Sequence, residues 1–324
     1  MMKRIAEVRM GLLESQWDEN APMLEVRDLS IRFERYGRGL HRTSLQTISD
    51  LSLTAHAGQI VAVVGSSGSG KSLLAHAILG LLPENATVTG MLRYRGVDMT
   101  SEVQEQLRGT HIAFVPQSVE CLDPLMRAGA QVRGTRGTRE GQRALFKRYR
   151  LPERAERMYP FELSGGMSRR VLLSTALIED AEVVIADEPT PGLTHDMAVQ
   201  AMSEFRALAD NGKAVVVITH DLDLAYDVAD SVVVFYAGST LEVAPAADFR
   251  EHPEALRHPY SKALWRALPQ NGFTPVSGTQ PYAGNLPAGC LYADRCPQAT
   301  SECLQGAVPL RPLRGGEVRC HHAS

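Results

Sequence analysis

The sequence predicts an α/β fold built on a mostly parallel sheet, and three observations carry that prediction. Short apolar runs at 60–64, 112–115, 183–186, 215–218 and 232–236 are rich in Val and Ile and bounded by Gly, Pro, Asp or polar residues, as strands buried on both faces are. Segments of helical periodicity alternate with them, at 71–81, 168–179, 197–209 and 222–229. That order places helices on both faces of parallel strands. With 324 residues, 44% of them apolar and 22% charged, the chain is long enough and apolar enough to bury such a core.

Taken in order, residues 24–29, 51–55 and 91–95 read as strands of an antiparallel edge layer ahead of the parallel core. Residues 118–161 are polar and Arg-rich with no strand run, which predicts a small helical insertion; the basic run 133–143 inside it reads as a solvated loop. Past Tyr236 the composition changes, and 270–289 is dense in Gly, Pro, Thr, Ser and Asn, a linker or irregular lobe. The division expected is an N-terminal extension at 1–22, a core domain at 23–243 with its helical part at about 118–165, and a C-terminal extension at 244–324.

Charge and composition narrow the function classes. A balance of 34 Lys+Arg against 37 Asp+Glu, net -3, gives no electrostatic case for a nucleic-acid partner. The apolar runs fall well short of the roughly 20 residues a bilayer-spanning helix needs, and Glu7 and Arg9 interrupt what would be the apolar centre of a signal peptide. A cytosolic location is therefore expected, where disulfides among Cys121, Cys290, Cys296, Cys303 and Cys320 would be unusual.

Two motifs carry chemistry. Gly65-Ser66-Ser67-Gly68-Ser69-Gly70-Lys71-Ser72 fits G-x-x-x-x-G-K-[ST] between a predicted strand and a predicted helix, so backbone amides and the helix N-terminus can cradle phosphates. Lys71 would reach the β- and γ-phosphates, and the Ser72 hydroxyl would ligate Mg²⁺. The strand 183–186 ends in Asp187-Glu188, which puts Asp187 beside the phosphate loop to hold the Mg²⁺ shell and leaves Glu188 to polarise a water.

With Leu163-Ser164-Gly165-Gly166-Met167 ahead of Asp187, Gln117 after one strand and His220 after another, the chain resembles the ATP-binding-cassette (ABC) ATPases, P-loop NTPases with an antiparallel β layer and a helical subdomain. The resemblance implies ATP and Mg²⁺ as ligands, Gln117 as the Q-loop glutamine and His220 as the switch histidine. It further implies a two-domain sandwich in which Ser164, Gly165 and Gly166 contact ATP held by the partner. Phe33 falls near the adenine-stacking position, with Tyr36 as a substitute. One departure is visible: Thr194 stands where the D-loop aspartate usually lies, and Asp196 follows two residues later.

His258-Pro259-Tyr260 and the stretch holding Cys290, Cys296, Cys303 and Cys320 resemble the C-terminal extension of the oligopeptide, dipeptide and nickel importer branch. Four thiols in a small polar lobe suggest a cross-linking ligand. Their spacings, x5, x6 and x16, contain no C-x-x-C knuckle of the usual structural-zinc kind. The resemblance favours a [4Fe–4S] cluster, with Zn²⁺ and His321 or His322 as the alternative; Cys121 is expected to take no part.

The function implied is the ATP-hydrolysing subunit of an importer of peptides, nickel or metal chelates, peripheral on the cytoplasmic face of the inner membrane. Its expected partners are a second, different ATPase subunit, two permease subunits and an extracytoplasmic binding protein. A soluble ABC ATPase of DNA repair or translation is the alternative, which should carry a long coiled coil or two cassettes. A catalytically silent subunit conflicts with the presence of Lys71, Asp187, Glu188 and His220.

Overall fold

The computed structural model describes residues 10–36, 42–66, 68–178 and 180–323. The chain runs through β1 (Leu24–Tyr36), β2 (Arg42–Ala55), β3 (Ile60–Gly65), α1 (Lys71–Ile78), β4 (Ala86–Tyr94), β5 (Val97–Asp98), α2 (Ser101–Leu107) and β6 (Ile112–Val115). There follow α3 (Ala128–Arg133), α4 (Arg139–Arg148), α5 (Gly165–Leu177), β7 (Val183–Asp187), α6 (His195–Asp210), β8 (Ala214–Thr219), α7 (Leu222–Val228) and β9 (Ser231–Tyr236). The C-terminal part adds β10 (Ser239–Pro245), α8 (Ala246–Arg250), α9 (Pro259–Arg266), β11 (Arg311–Leu313) and β12 (Gly316–Val318).

The apolar runs become parallel strands in the order β9-β3-β8-β7-β6. Every residue of β3, β7 and β8 is buried, which is why these strands carry no polar alternation. Alternate side chains enter two separate cores. Ala62 and Val64 pack with Met202 and Phe205 of α6, whereas Val61 and Val63 pack with Leu24 and Leu51 of the N-terminal strands and with Leu74 and Ile78 of α1.

The N-terminal strands form their own antiparallel sheet, β2-β1-β4-β5, and its shared core with β3 stacks it on a face of the main sheet. The expected edge layer is thus corrected to a second layer. The reason is in β1: Leu24, Val26, Leu29 and Ile31 are all fully buried, and a register shift at Asp28, whose φ is +49°, turns both apolar pairs to the same side. A side buried so completely needs a sheet face beneath it.

Residues 118–161 do form a helical part, with a core of its own in which Val132, Phe146 and Leu151 pack on Val171 and Leu172 of α5. The basic run 133–143 is not a plain loop; it comprises the end of α3, a turn and the start of α4, with Thr138 Oγ1 accepting the Gly141 N–H at 3.0 Å.

The C-terminal segment departs most from expectation. β10 pairs with β9, and the β11–β12 hairpin returns to pair with β10, so the last strands extend the main sheet. Tyr292, buried in the core that holds Tyr236 and Tyr260, gives the small polar lobe of the cysteines apolar contacts with the domain. Glu242, fully buried, anchors the junction: it accepts the backbone N–H of Arg257 and of His258, each at 2.8 Å, and the Arg257 guanidinium at 3.2 Å.

His258 caps α9, its Nδ1 accepting the Tyr260 N–H at 3.0 Å, and burial pushes its pKa down to about 3. The folded state holds this ring neutral, while the unfolded chain protonates it near the ordinary value of about 6.5. Stability is therefore full above pH 6.5 and falls as the pH drops towards 3. Between pH 7 and pH 5 urea denaturation should show a loss of about 2 kcal/mol from this residue. His258→Asn, which retains a capping acceptor and does not titrate, should show a correspondingly shallower slope; equal slopes would remove His258 as the cause.

Candidate active site

The phosphate loop lies at the C-terminal end of β3 because the sheet leaves it no other route. A Cβ on Gly65 would stand 2.1 Å from the Phe235 carbonyl oxygen of β9, so only glycine can end β3 in contact with its neighbour. Gly70, at φ +95°, turns the chain into α1 against Thr47, whose carbonyl would lie 3.2 Å from any added Cβ. Lys71 is 6% exposed and its Nζ donates to the carbonyls of Gly65 and Ser66, both at 2.9 Å. Burial lowers its pKa, and the carboxylates of Glu188 and Asp187 oppose that effect.

Asp187 ends β7 inside the fold. Burial raises its pKa, partly offset by a hydrogen bond from Ser72, and its Oδ1 is buried with no partner. A bare carboxylate oxygen beside the Ser72 hydroxyl is a donor set suited to a hard divalent cation such as Mg²⁺. Glu188, the next residue, is held at φ +47°, a strained conformation for a side chain, by its N–H bond to the Ile218 carbonyl at 2.8 Å. Its Oε2 lies 2.7 Å from His220 Nδ1, an ion pair when the imidazole is protonated, though not aligned as a hydrogen bond.

A cleft of about 270 Å³ brings together Gly68, Gly70, Lys71, Ser72, Gln117 and Glu188. Phe33 is not among its lining residues; it is half-buried against the core of the antiparallel layer. Ser67 and the Tyr36 side chain lie outside the described residues. Ser164, Gly165 and Gly166 do not line this cleft either: Ser164 caps α5 by accepting the Met167 N–H at 3.3 Å, and Ser164, Gly165 and Gly166 lie outside the cleft lining. Thr194 precedes α6 without a side-chain cap, and Asp196 lies within the first turn of that helix.

The sequence reading missed Arg169. This fully buried arginine donates to the carbonyls of Pro189 at 3.1 Å, Pro116 at 2.9 Å and Gln117 at 2.8 Å, tying α5 to the turn after β6 and to the turn after Glu188. Its only sequence signal was a second Arg on an apolar helical face, which is a weak one. Arg169→Met should cost about 3 kcal/mol or more in urea denaturation, since it leaves buried carbonyls unpaired. A loss below 1 kcal/mol would show that water replaces the guanidinium.

The thiols of Cys290, Cys296, Cys303 and Cys320 are free. Burial pushes the Cys290 thiol up to about 11, and the other three thiols add to that, which places all four in one neighbourhood. Among the described residues no group of three or more His, Cys, Asp or Glu side chains stands close enough to hold a metal ion. Cys121 is exposed in the helical part.

Comparison with known proteins agrees with this geometry. Residues 48–191 match the ABC transporter family model, and residues 241–303 match the oligopeptide/dipeptide transporter C-terminal region. The chain is 34% identical to a peptide import ATP-binding protein of Brucella melitensis, over 93% of this chain and 95% of that one. It is 33% identical to the oligopeptide transport ATP-binding protein OppD of Haemophilus influenzae, over 92% and 96% of the two chains. Among solved structures, the ATP-binding cassette MJ0796, a dimer in a post-hydrolysis state with ADP and Pi, superposes with a TM-score of 0.61 at 24% identity, over 69% of this chain and 99% of that one.

Proposed function

We infer, since the chain belongs to the family of ATP-binding subunits of oligopeptide and dipeptide ABC importers, that its cleft hydrolyses ATP to power peptide uptake. The observation that carries the reading is the convergence of Lys71, Ser72, Gln117 and Glu188 on one cleft, with Asp187 beneath them. The DNA-repair or translation alternative has no support among the relatives reported above.

The residues suit the following roles. Lys71, which rests on two carbonyls, exchanges them for phosphate oxygens at little reorganisation. Ser72, Asp187 and Gln117 would hold Mg²⁺, which supplies charge neutralisation at the phosphates. Glu188 accepts a proton from the attacking water, and His220, 2.7 Å from that carboxylate, would contact the γ-phosphate and help hold the water. The two-domain sandwich that the resemblance implies would complete the site with Ser164, Gly165 and Gly166 of a second cassette. Thr194 at the D-loop position supports pairing with a different ATPase subunit. Two copies of this chain forming a fully active transporter would count against that.

Among the described residues no helix is long and apolar enough to cross a membrane. Docking on permease subunits at the cytoplasmic face falls to the helical part. Leu125 and Phe161, 86% and 75% exposed, offer apolar contact, and a cavity of about 860 Å³ lined by Arg143, Phe146, Lys147, Arg154 and Arg157 opens on the same part. Leu125→Asp should reduce co-purification with the permease while leaving nucleotide binding intact.

The four clustered thiols are chemically suited to a [4Fe–4S] cluster or to Zn²⁺, with ligation drawing the sulfurs closer than they now stand. Anaerobic preparation should give brown protein with about four irons per chain, and Cys296→Ser should lose the colour. One zinc per colourless chain would replace the cluster by the zinc alternative, and metal-free protein with an intact lobe would leave four structural thiols.

A further inference from the structure

Ser66 of the phosphate loop is hydrogen-bonded to a residue 214 positions away: its Oγ donates to Gln280 Oε1 at 2.7 Å. We propose that Gln280 is a positioning residue of the nucleotide site, carried to the phosphate loop by the C-terminal extension and held there by Arg295. The proposal rests on the reading of residues 65–72 as the ATP site.

Ser66 is the node on which the loop is built. Its carbonyl accepts the Ser69 hydroxyl at 2.7 Å, the Lys71 ammonium at 2.9 Å and the Ser69 N–H at 3.4 Å. Whatever fixes Ser66 therefore fixes the resting place of Lys71 and the curvature of the loop before nucleotide arrives. Ser69 and Lys71 set the carbonyl side, and Gln280 takes the hydroxyl on the other, where the Tyr260 hydroxyl also meets it. Ligand sites gain affinity when such groups are held in place beforehand rather than ordered on binding.

Gln280 does not reach the loop by chance of a free coil. Residues 277–279 are exposed, but Gln280 itself is half-buried. Three residues upstream the irregular segment is stapled by Arg295, whose Nε donates to the Ser277 carbonyl at 2.7 Å and whose Nη2 donates to the Val276 carbonyl at 3.0 Å. The same guanidinium donates to the Tyr236 hydroxyl at 3.0 Å and lies 5.7 Å from the ring centroids of both Tyr236 and Tyr292. Tyr236 ends β9, the strand whose Phe235 is paired with Gly65. The stapled segment and the phosphate loop are thus seated on the same strand end, which keeps Gln280 and Ser66 in register.

A half-exposed neutral hydrogen bond contributes only modestly to folding, so stability and nucleotide affinity should separate. In the full chain, Gln280→Ala should weaken binding of trinitrophenyl-ATP about fivefold and raise KM for ATP in the assembled transporter to match, with kcat within twofold and Tm unchanged. Gln280→Glu retains the acceptor but sets a negative charge beside the polyphosphate site; its binding should be weaker than that of wild type at low salt and recover towards it at 0.5 M salt, a concentration chosen to screen charge. Arg295→Gln should reproduce the KM effect of Gln280→Ala. Binding within twofold of wild type in both Gln280 variants overturns the proposal, as does a loss in Gln280→Ala accompanied by a matching drop in Tm. Wild-type binding of the same probe, and its loss in Lys71→Ala, test the ATP-site reading separately.

Discussion

Glu188→Gln in the assembled importer should retain ATP binding and slow steady-state hydrolysis about 10²-fold or more, the scale for removing a base that positions and deprotonates water. The effect follows from how the residue is held. Its backbone is kept at φ +47° by a bond to β8, and its carboxylate sits against His220 at the rim of the cleft, so glutamine fits the same space without a proton acceptor. Binding should survive because Lys71 and the loop amides are untouched, and a closed dimer should accumulate. Single-turnover hydrolysis with radiolabelled ATP measures the chemical step directly; a rate within threefold of wild type would remove Glu188 from the chemistry.

Lys71→Ala acts one step earlier. The ammonium is buried, its charge already disfavoured by desolvation and supported by Glu188 and Asp187. Removing it deletes charge-assisted bonds to the phosphates, each worth about 1.5–3 kcal/mol, so ATP affinity should fall about 10- to 100-fold. The same substitution leaves Asp187 and Glu188 without their nearby cation, adding repulsion against the polyphosphate. Equilibrium binding of ATP and of ADP to the purified variant tests this, and the loss should be larger for ATP if Lys71 reaches the γ-phosphate. Unchanged affinity for both would mean that the loop holds nucleotide by its amides alone.

The parallel sheet was legible because its strands are buried on both faces and so read as unbroken apolar runs, with ends that fall within a residue or two of β3, β6, β7, β8 and β9. The phosphate loop and Asp187-Glu188 were legible because chemistry fixes their residue types at local spacing. What sequence could not supply was pairing over distance. β10 carries polar residues among its apolar ones, β12 has only three residues, and nothing local says that residues 316–318 return to pair with 242–243. For the same reason the cysteine lobe was read as an appendage, although Tyr292 packs it into the domain. Arg169 and Gln280 escaped because each acts through contacts distant in sequence, which carry no periodic signal. Phe33 was placed by its order in the chain, and order alone does not say which side of β1 a residue faces.

Peptide uptake into proteoliposomes tests the central claim most directly. The chain is reconstituted with permease subunits, the binding protein and the different ATPase subunit proposed above, and accumulation of a labelled oligopeptide is followed with ATP enclosed. The account predicts ATP-dependent accumulation with the wild-type chain and accumulation at background with Glu188→Gln. Uptake that persists at the wild-type rate with Glu188→Gln would contradict it.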